Sequence, residues 1–132
     1  MKKVLVLDDN ANILELVHEV LAYEGFEVWS EGKGAGFIDV ALEFKPDLVL
    51  LDYMVPDISG EEICRQLKAH PDLQHLPVII FSAYIIRESD AERFGCDAII
   101  LKPFDLGHLV HKINELLEPV AQACKLTGNH VV

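Results

Sequence analysis

The sequence predicts an α/β fold built on a doubly wound parallel sheet, and three observations predict it. Five short apolar runs, rich in Val, Ile and Leu, recur along the chain. Amphipathic segments of helical period separate them. Cap and turn residues stand at most of the junctions. Continuous apolar runs suit strands covered on both faces, as in a parallel sheet between two layers of helices. Strict strand–helix alternation builds that arrangement.

The elements follow in order. Residues 4–7 (VLVL) form the first strand. In 10–23, Ile13, Leu14, Val17, Val20 and Leu21 fall on one face of a helix. Gly25 closes it, since glycine takes the left-handed cap conformation at little cost. Residues 26–29 (FEVW) form the second strand, and Glu27 in its middle places it at an edge. A second helix, 36–44, closes before Pro46. Residues 48–51 (LVLL) form the third strand. The third helix, 59–69, opens on Ser59 with Glu62 three residues on, the spacing of a capping box. Residues 78–81 (VIIF) form the fourth strand, and a short helix, 88–94, ends at Gly95. Residues 98–101 (AIIL) form the fifth strand. The last helix, 105–117, is capped by Asp105 and aligns Leu106, Leu109, Val110, Ile113 and Leu116. Right-handed crossovers restrict how such a chain closes. The simplest solution is a flavodoxin-like (βα)5 sheet of order 2-1-3-4-5, helices on both faces, with its crevice at the carboxyl ends of the strands. Residues 1–118 then form one domain, and 119–132 a short C-terminal tail without clear period, expected to be loose.

Composition narrows the function. A chain of 132 residues, 51% hydrophobic and 25% charged, has the size and make-up of a single globular domain. A net charge of -11 opposes binding to nucleic acid and to anionic membrane, both of which need clustered Lys and Arg. Basic or mixed-charge protein surfaces suit it better. Cys64, Cys96 and Cys124 form no CxxC pair, so neither a zinc site nor a disulfide framework is signalled. They read as small apolar fillers or a free thiol. His108 and His111 read as solvated surface on the last helix. Residues 1–7 lack the apolar core of a signal peptide, and no apolar run approaches the roughly 20 residues that span a bilayer. The chain therefore reads as cytoplasmic.

The stretch DLVLLDYMVPDISG, residues 47–60, breaks the apolar pattern with a carboxylate. An unpaired buried carboxylate is costly, so Asp52 needs a reason. Each strand end supplies part of one. Asp8 and Asp9 follow strand 1, Asp52 strand 3, Ser82 strand 4, and Lys102 with Pro103 strand 5. In a parallel sheet of this order those ends share one edge, and the polar residues converge in one crevice. Crowded carboxylates repel and raise one another's pKa. Lys102 and a divalent cation are the two candidates to neutralise them. Carboxylates, a carbonyl and waters suit Mg²⁺, which keeps several waters and often shares a phosphate oxygen. Such a site fits phosphoryl transfer, with Asp52 as nucleophile, Ser82 as hydrogen-bond donor and Lys102 as charge stabiliser.

The motifs VLVLDDN, LVLLDYMVPDISG, PVIIFSA and AIILKPF, all in order, resemble the CheY-like receiver domain of two-component response regulators over residues 2–118. The resemblance implies that Asp52 is the phosphoacceptor and that Asp8, Asp9, Asp52 and the Met54 backbone carbonyl hold Mg²⁺. It implies that Pro56 and Gly60 form a fixed turn, and that Ser82 and Lys102-Pro103 are the family's hydroxyl and Lys-Pro pair, the latter usually cis. The implied donor is a histidine kinase or a histidine phosphotransfer protein, with small phosphodonors as substitutes. The implied receiver of the signal is a downstream protein target, or an output domain if the chain is part of a longer one. Such a protein is a stoichiometric phosphoacceptor that assists its own phosphorylation and dephosphorylation, not an enzyme. Phosphorylation would draw Ser82 inward and bias a two-state element.

Two departures from the pattern stand out. Ile99 takes the place where the family usually carries Tyr or Phe. The interval from Ser82 to Lys102 is short, which predicts a stunted fourth helix and a modified signalling face. Met54 and Tyr84 flank the reacting group and are expected to tune water access to an acyl phosphate. Tyr84, Ile85 and Ile86 form an apolar patch that is either packing or a docking surface. Three other readings compete. An aspartyl-phosphate hydrolase would need a DxD pattern after strand 1, where this chain has adjacent Asp8-Asp9. A nucleotide or flavin binder would need a glycine- or hydroxyl-rich loop there, and LDDNAN is acidic. A receiver-like protein-binding module that works without phosphorylation would be marked by Ile99 and the short helix.

Overall fold

The computed structural model describes residues 1–82, 90–102 and 105–117. Tyr84, Ile85, Ile86, Pro103, Cys124, the tail 119–132 and the start of the expected helix 88–94 lie outside the described residues. The elements are β1 (Lys3–Leu7), α1 (Ala11–Tyr23), β2 (Glu27–Glu31), α2 (Phe37–Phe44), β3 (Leu48–Asp52), α3 (Gly60–Ala69), β4 (Val78–Ser82), α4 (Ala91–Phe94), β5 (Ala98–Leu101) and α5 (Leu106–Leu117). The sheet is parallel throughout, in the expected order β2-β1-β3-β4-β5.

Side chains of a strand alternate between faces, and the core divides accordingly. Leu5, Leu7, Val49, Leu51, Val78, Ile80 and Ile99 pack beneath α2, α3 and α4, against Phe37, Phe44, Ile63, Leu67 and Phe94. Val4, Val6, Leu48, Leu50, Ile79, Phe81 and Ile100 pack beneath α1 and α5, against Val17, Leu21, Leu109 and Ile113. Burying each such side chain contributes about 1.5–3 kcal/mol. This explains why the central strands read as unbroken apolar runs: both of their faces are covered.

The ends of α1 show how locally the chain is instructed. Asn10 caps it, its side chain accepting the N–H groups of Asn12 and Ile13. At the other end Gly25 has φ +95°, donates to the Ala22 carbonyl at 3.1 Å, and lets Phe26 donate to Leu21 at 3.0 Å. That paired closure folds Phe26 back onto the core. The second strand therefore starts at Glu27, one residue later than the apolar pattern suggests, and runs on to Glu31. Its edge position is as expected. On α3, Ser59 accepts the Glu62 N–H at 3.1 Å, but the Glu62 carboxylate turns to Arg65 and Gln66. Half of the anticipated capping box forms, because α3 offers Glu62 two partners on its own next turn. Asp105 caps α5 by accepting the Gly107 N–H at 2.7 Å.

At the amino edge of the sheet two aspartates join neighbouring strands. Asp47, just before β3, accepts the Lys3 N–H at 2.8 Å. Asp97, just before β5, accepts the Val78 N–H at 2.8 Å and the Lys68 ammonium at 3.0 Å. Cys64 and Cys96 are buried free thiols, and burial pushes them up to about 12 and about 11. His108 and His111 are exposed. Among the described residues, no helix is long and apolar enough to cross a membrane.

Candidate functional site: an acid pocket at the carboxyl edge

Sheet alternation alone aims the site. On β1 the series Val4, Val6 leads to Asp8; on β3, Leu48, Leu50 leads to Asp52; on β5, Ala98, Ile100 leads to Lys102. All three polar side chains continue the face that packs beneath α1 and α5. Asp8, Asp52 and Ser82 are the buried polar residues among those described, at 0%, 7% and 1% exposure. That set falls entirely within the residues singled out from the sequence.

The residues meet as expected. Lys102 Nζ donates to Asp8 Oδ2 at 3.1 Å, spanning 94 residues of chain, and to Asp52 Oδ1 at 3.5 Å. Its backbone N–H donates to the Ser82 carbonyl at 2.6 Å, so the lysine and the hydroxyl residue are locked to one another. Asp9 stands exposed at the mouth, and one oxygen each from Asp8, Asp9 and Asp52 lies within 4.8 Å of the others. Because Asn10 takes the cap of α1, the two acids before it are not needed as its N-cap. Asp8 Oδ1 instead accepts the Asn10 N–H at 2.8 Å.

Electrostatics sets Asp52 apart. Burial, then the charge of Asp8, pushes its carboxyl up to about 6; Lys102 and the Met54 N–H oppose that rise. The Lys102 ammonium thus pairs with two of three clustered carboxylates, Asp8 and Asp52. The donor set is hard, anionic and under-neutralised, which fits a divalent cation of the oxygen-seeking class. Gly60 packs so closely on the Asp52 carbonyl that a Cβ there would strike it, and its N–H donates to the Tyr53 carbonyl at 2.8 Å. This is the fixed turn expected of the stretch through Pro56.

Three neighbours were not visible in the sequence. Phe81 lies across from Asp52 in register and puts its ring 4.6 Å from Lys102 Nζ. Tyr53 stacks on Phe94 of α4, with centroids 5.5 Å apart and planes 16° apart. Asp57 bridges to the loop before α2 through Gly34 and Ala35. Strand register would have pointed to Phe81; nothing in the local pattern points to the other two. Ile99, in the family's aromatic position, is 4% exposed and sealed into the core beneath α3 and α4. Within the described residues α4 spans Ala91–Phe94 and closes at Gly95, φ +79°.

Comparison with known proteins agrees. The family described as "Response regulator receiver domain" matches residues 4–114. The polar-differentiation response regulator DivK of Brucella anthropi is 33% identical over 119 residues, covering 88% of this chain and 96% of that protein. The receiver domain of a signal transduction histidine kinase from Syntrophus aciditrophicus superposes with TM-score 0.81 at 27% identity, covering 91% of this chain and 92% of that one. A response regulator receiver domain protein from Clostridium thermocellum gives 0.82 at 25%, covering 93% and 99%. The chain belongs to the response regulator receiver domain family, whose members are phosphoacceptor switches of two-component signalling.

Proposed function

We propose that this protein is a cytoplasmic phosphoacceptor switch in which Asp52 receives a phosphoryl group, with Asp8, Asp9, Asp52 and the Met54 carbonyl holding Mg²⁺. The supporting observation is a 7%-exposed carboxylate, pushed up to about 6, set between an acidic neighbour and a single lysine. An Asp52 oxygen forms a bond to phosphorus as the phosphorus–nitrogen bond of a phosphohistidine breaks. The electron pair of the broken bond leaves on the imidazole, which takes up a proton. Lys102 pairs with the growing negative charge of the transferred oxygens, and the Ser82 hydroxyl donates a hydrogen bond to one of them. Mg²⁺, when bound, supplies the charge that lets the carboxylates and a phosphoryl group share the pocket. The donor is a histidine kinase or a histidine phosphotransfer protein, and the signal passes to a protein target or a fused output domain. Residues 1–118 carry the switch.

Intact-mass spectrometry with acetyl phosphate or phosphoramidate tests this directly. One phosphoryl adduct is expected in Mg²⁺, none with chelator, and none in Asp52→Asn. If no donor, including a panel of kinases, gives an adduct, the protein is a binding module that works without phosphorylation.

A further inference from the structure

The loop between β3 and α3 carries Met54, and something must hold that loop still. Its base is fixed by Gly60 against the Asp52 backbone. Its tip is fixed from outside. Asp57 Oδ1 accepts the Gly34 N–H at 3.0 Å, and Oδ2 accepts the Ala35 N–H at 2.8 Å. Two successive backbone N–H groups thus fork onto one carboxylate, as in the concave anion sites that consecutive amides form. The contact is sterically specified as well. A Cβ on Gly34 would strike Ile58 Cγ2 and crowd Ile63 Cδ1 at 3.1 Å, so the loop tip sits down only on a glycine. Those amides hold the Asp57 carboxyl below its ordinary value, Gly34 foremost. Met54 hangs between tip and base, 45% exposed, with its N–H directed to Asp52. The bridge between Met54 and Ser59 is closed by Gly60 donating to Tyr53, which leaves the Met54 carbonyl out of that bridge.

We infer that Asp57 is a positioning residue for metal binding: by clamping the β3–α3 loop onto the amides of Gly34 and Ala35, it sets where Met54 presents its carbonyl to the acid pocket. The inference rests on the receiver reading, and it gives the glycine-rich segment GKGAG, residues 32–36, a task. A merely structural carboxylate would change stability alone. A positioning one changes the affinity for Mg²⁺ and leaves the rate at saturating Mg²⁺ almost intact.

The test is calorimetric titration of the metal-free protein with Mg²⁺, alongside adduct formation as a function of Mg²⁺. Asp57→Ala is expected to raise the Mg²⁺ Kd about tenfold, in the range that outer partners of metal ligands command. Its adduct rate at saturating Mg²⁺ should stay within about twofold, since the reacting groups are untouched. Asp57→Asn keeps one acceptor oxygen and should fall between, which also covers the case in which the alanine variant folds poorly. Gly34→Ala, which lifts the tip from the other side, should raise Kd likewise. Faster amide exchange at Gly34 and Ala35 with an unchanged Kd overturns the inference. A wild-type chain that binds Mg²⁺ but takes no phosphoryl group overturns the receiver reading, while Kd still judges the clamp. A wild-type chain that binds no Mg²⁺ overturns both.

Discussion

The two edges of this sheet both carry aspartates, and they treat them in opposite ways. At the amino edge each carboxylate has a station to itself. Asp47 takes the Lys3 N–H, and Asp97 takes the Val78 N–H with the Lys68 ammonium. At the carboxyl edge Asp8, Asp9 and Asp52 crowd within 4.8 Å of one another, Lys102 pairs with Asp8 and Asp52, and burial, then the charge of Asp8, pushes Asp52 up to about 6. A carboxylate spent on a neighbouring N–H stitches strands together. Carboxylates spent on one another do the reverse: they hold a charge in reserve for a ligand. Burial and crowding of like charge, more than hydrogen bonding, therefore separate the functional edge from the structural one.

Exchanging the acids one at a time breaks that comparison most sharply. Asp52→Asn should abolish the phosphoryl adduct altogether and leave the fold intact. Asp97→Ala should do the opposite, keeping the adduct while costing about 1–3 kcal/mol, the penalty of an orphaned N–H on buried Val78. Denaturant unfolding and mass spectrometry on both variants read the two effects. Loss of the adduct in Asp97→Ala with stability unchanged would mean that the amino edge, too, is part of the reaction.

The pH dependence of stability is the next and smaller effect. In the unfolded chain Asp52 titrates near 3.8; in the folded protein, near 6. Between those values the folded state binds a proton that the unfolded state has released. The stability from this group is thus greatest below 3.8 and is lost as pH rises through about 6. Without divalent ions, Asp52→Asn should be more stable than the wild type at pH 8 by about 1–2 kcal/mol, allowing for solvent at the pocket mouth. That advantage should fade towards pH 4. An advantage of the same size at every pH would show that the burial and crowding of the Asp52 charge are not its source.

How much of this was legible in the sequence follows from the same physics. Strands buried on both faces must be continuously apolar, so β1, β3, β4 and β5 announced themselves, and any charge at their ends stood out. Asp8, Asp52, Ser82 and Lys102 could be read for that reason. Asp57 could not. It sits in an exposed turn where an aspartate is unremarkable, and its partners are backbone N–H groups of a distant loop, which carry no side-chain signature. Phe26 misled for a local reason, since the turn at Gly25 buries it without adding it to the strand. The Lys102–Phe81 contact needed the register of β4 against its neighbours, which periodicity does not give.

The smallest predicted effect asks whether the state of the carboxyl edge reaches the surface. Ile99 cannot act as an aromatic reporter, being an aliphatic side chain sealed into the core. The aromatic next to Asp52 is Tyr53, and it lies on Phe94, at the end of α4. A double-mutant cycle with Tyr53→Leu and Phe94→Leu should give a coupling of about 0.5–1.5 kcal/mol, the usual worth of an offset aromatic pair. Both rings lie in or against the core cluster that holds Ile99, so the cycle compares a stacked contact with plain aliphatic packing in one place. A coupling in that range ties α4 to the residue beside the phosphoacceptor, and any displacement at Asp52 then costs the stack. A coupling near zero would leave α4 without this tie to the residue beside the phosphoacceptor, and the two edges of the sheet would differ in their chemistry without differing in their reach.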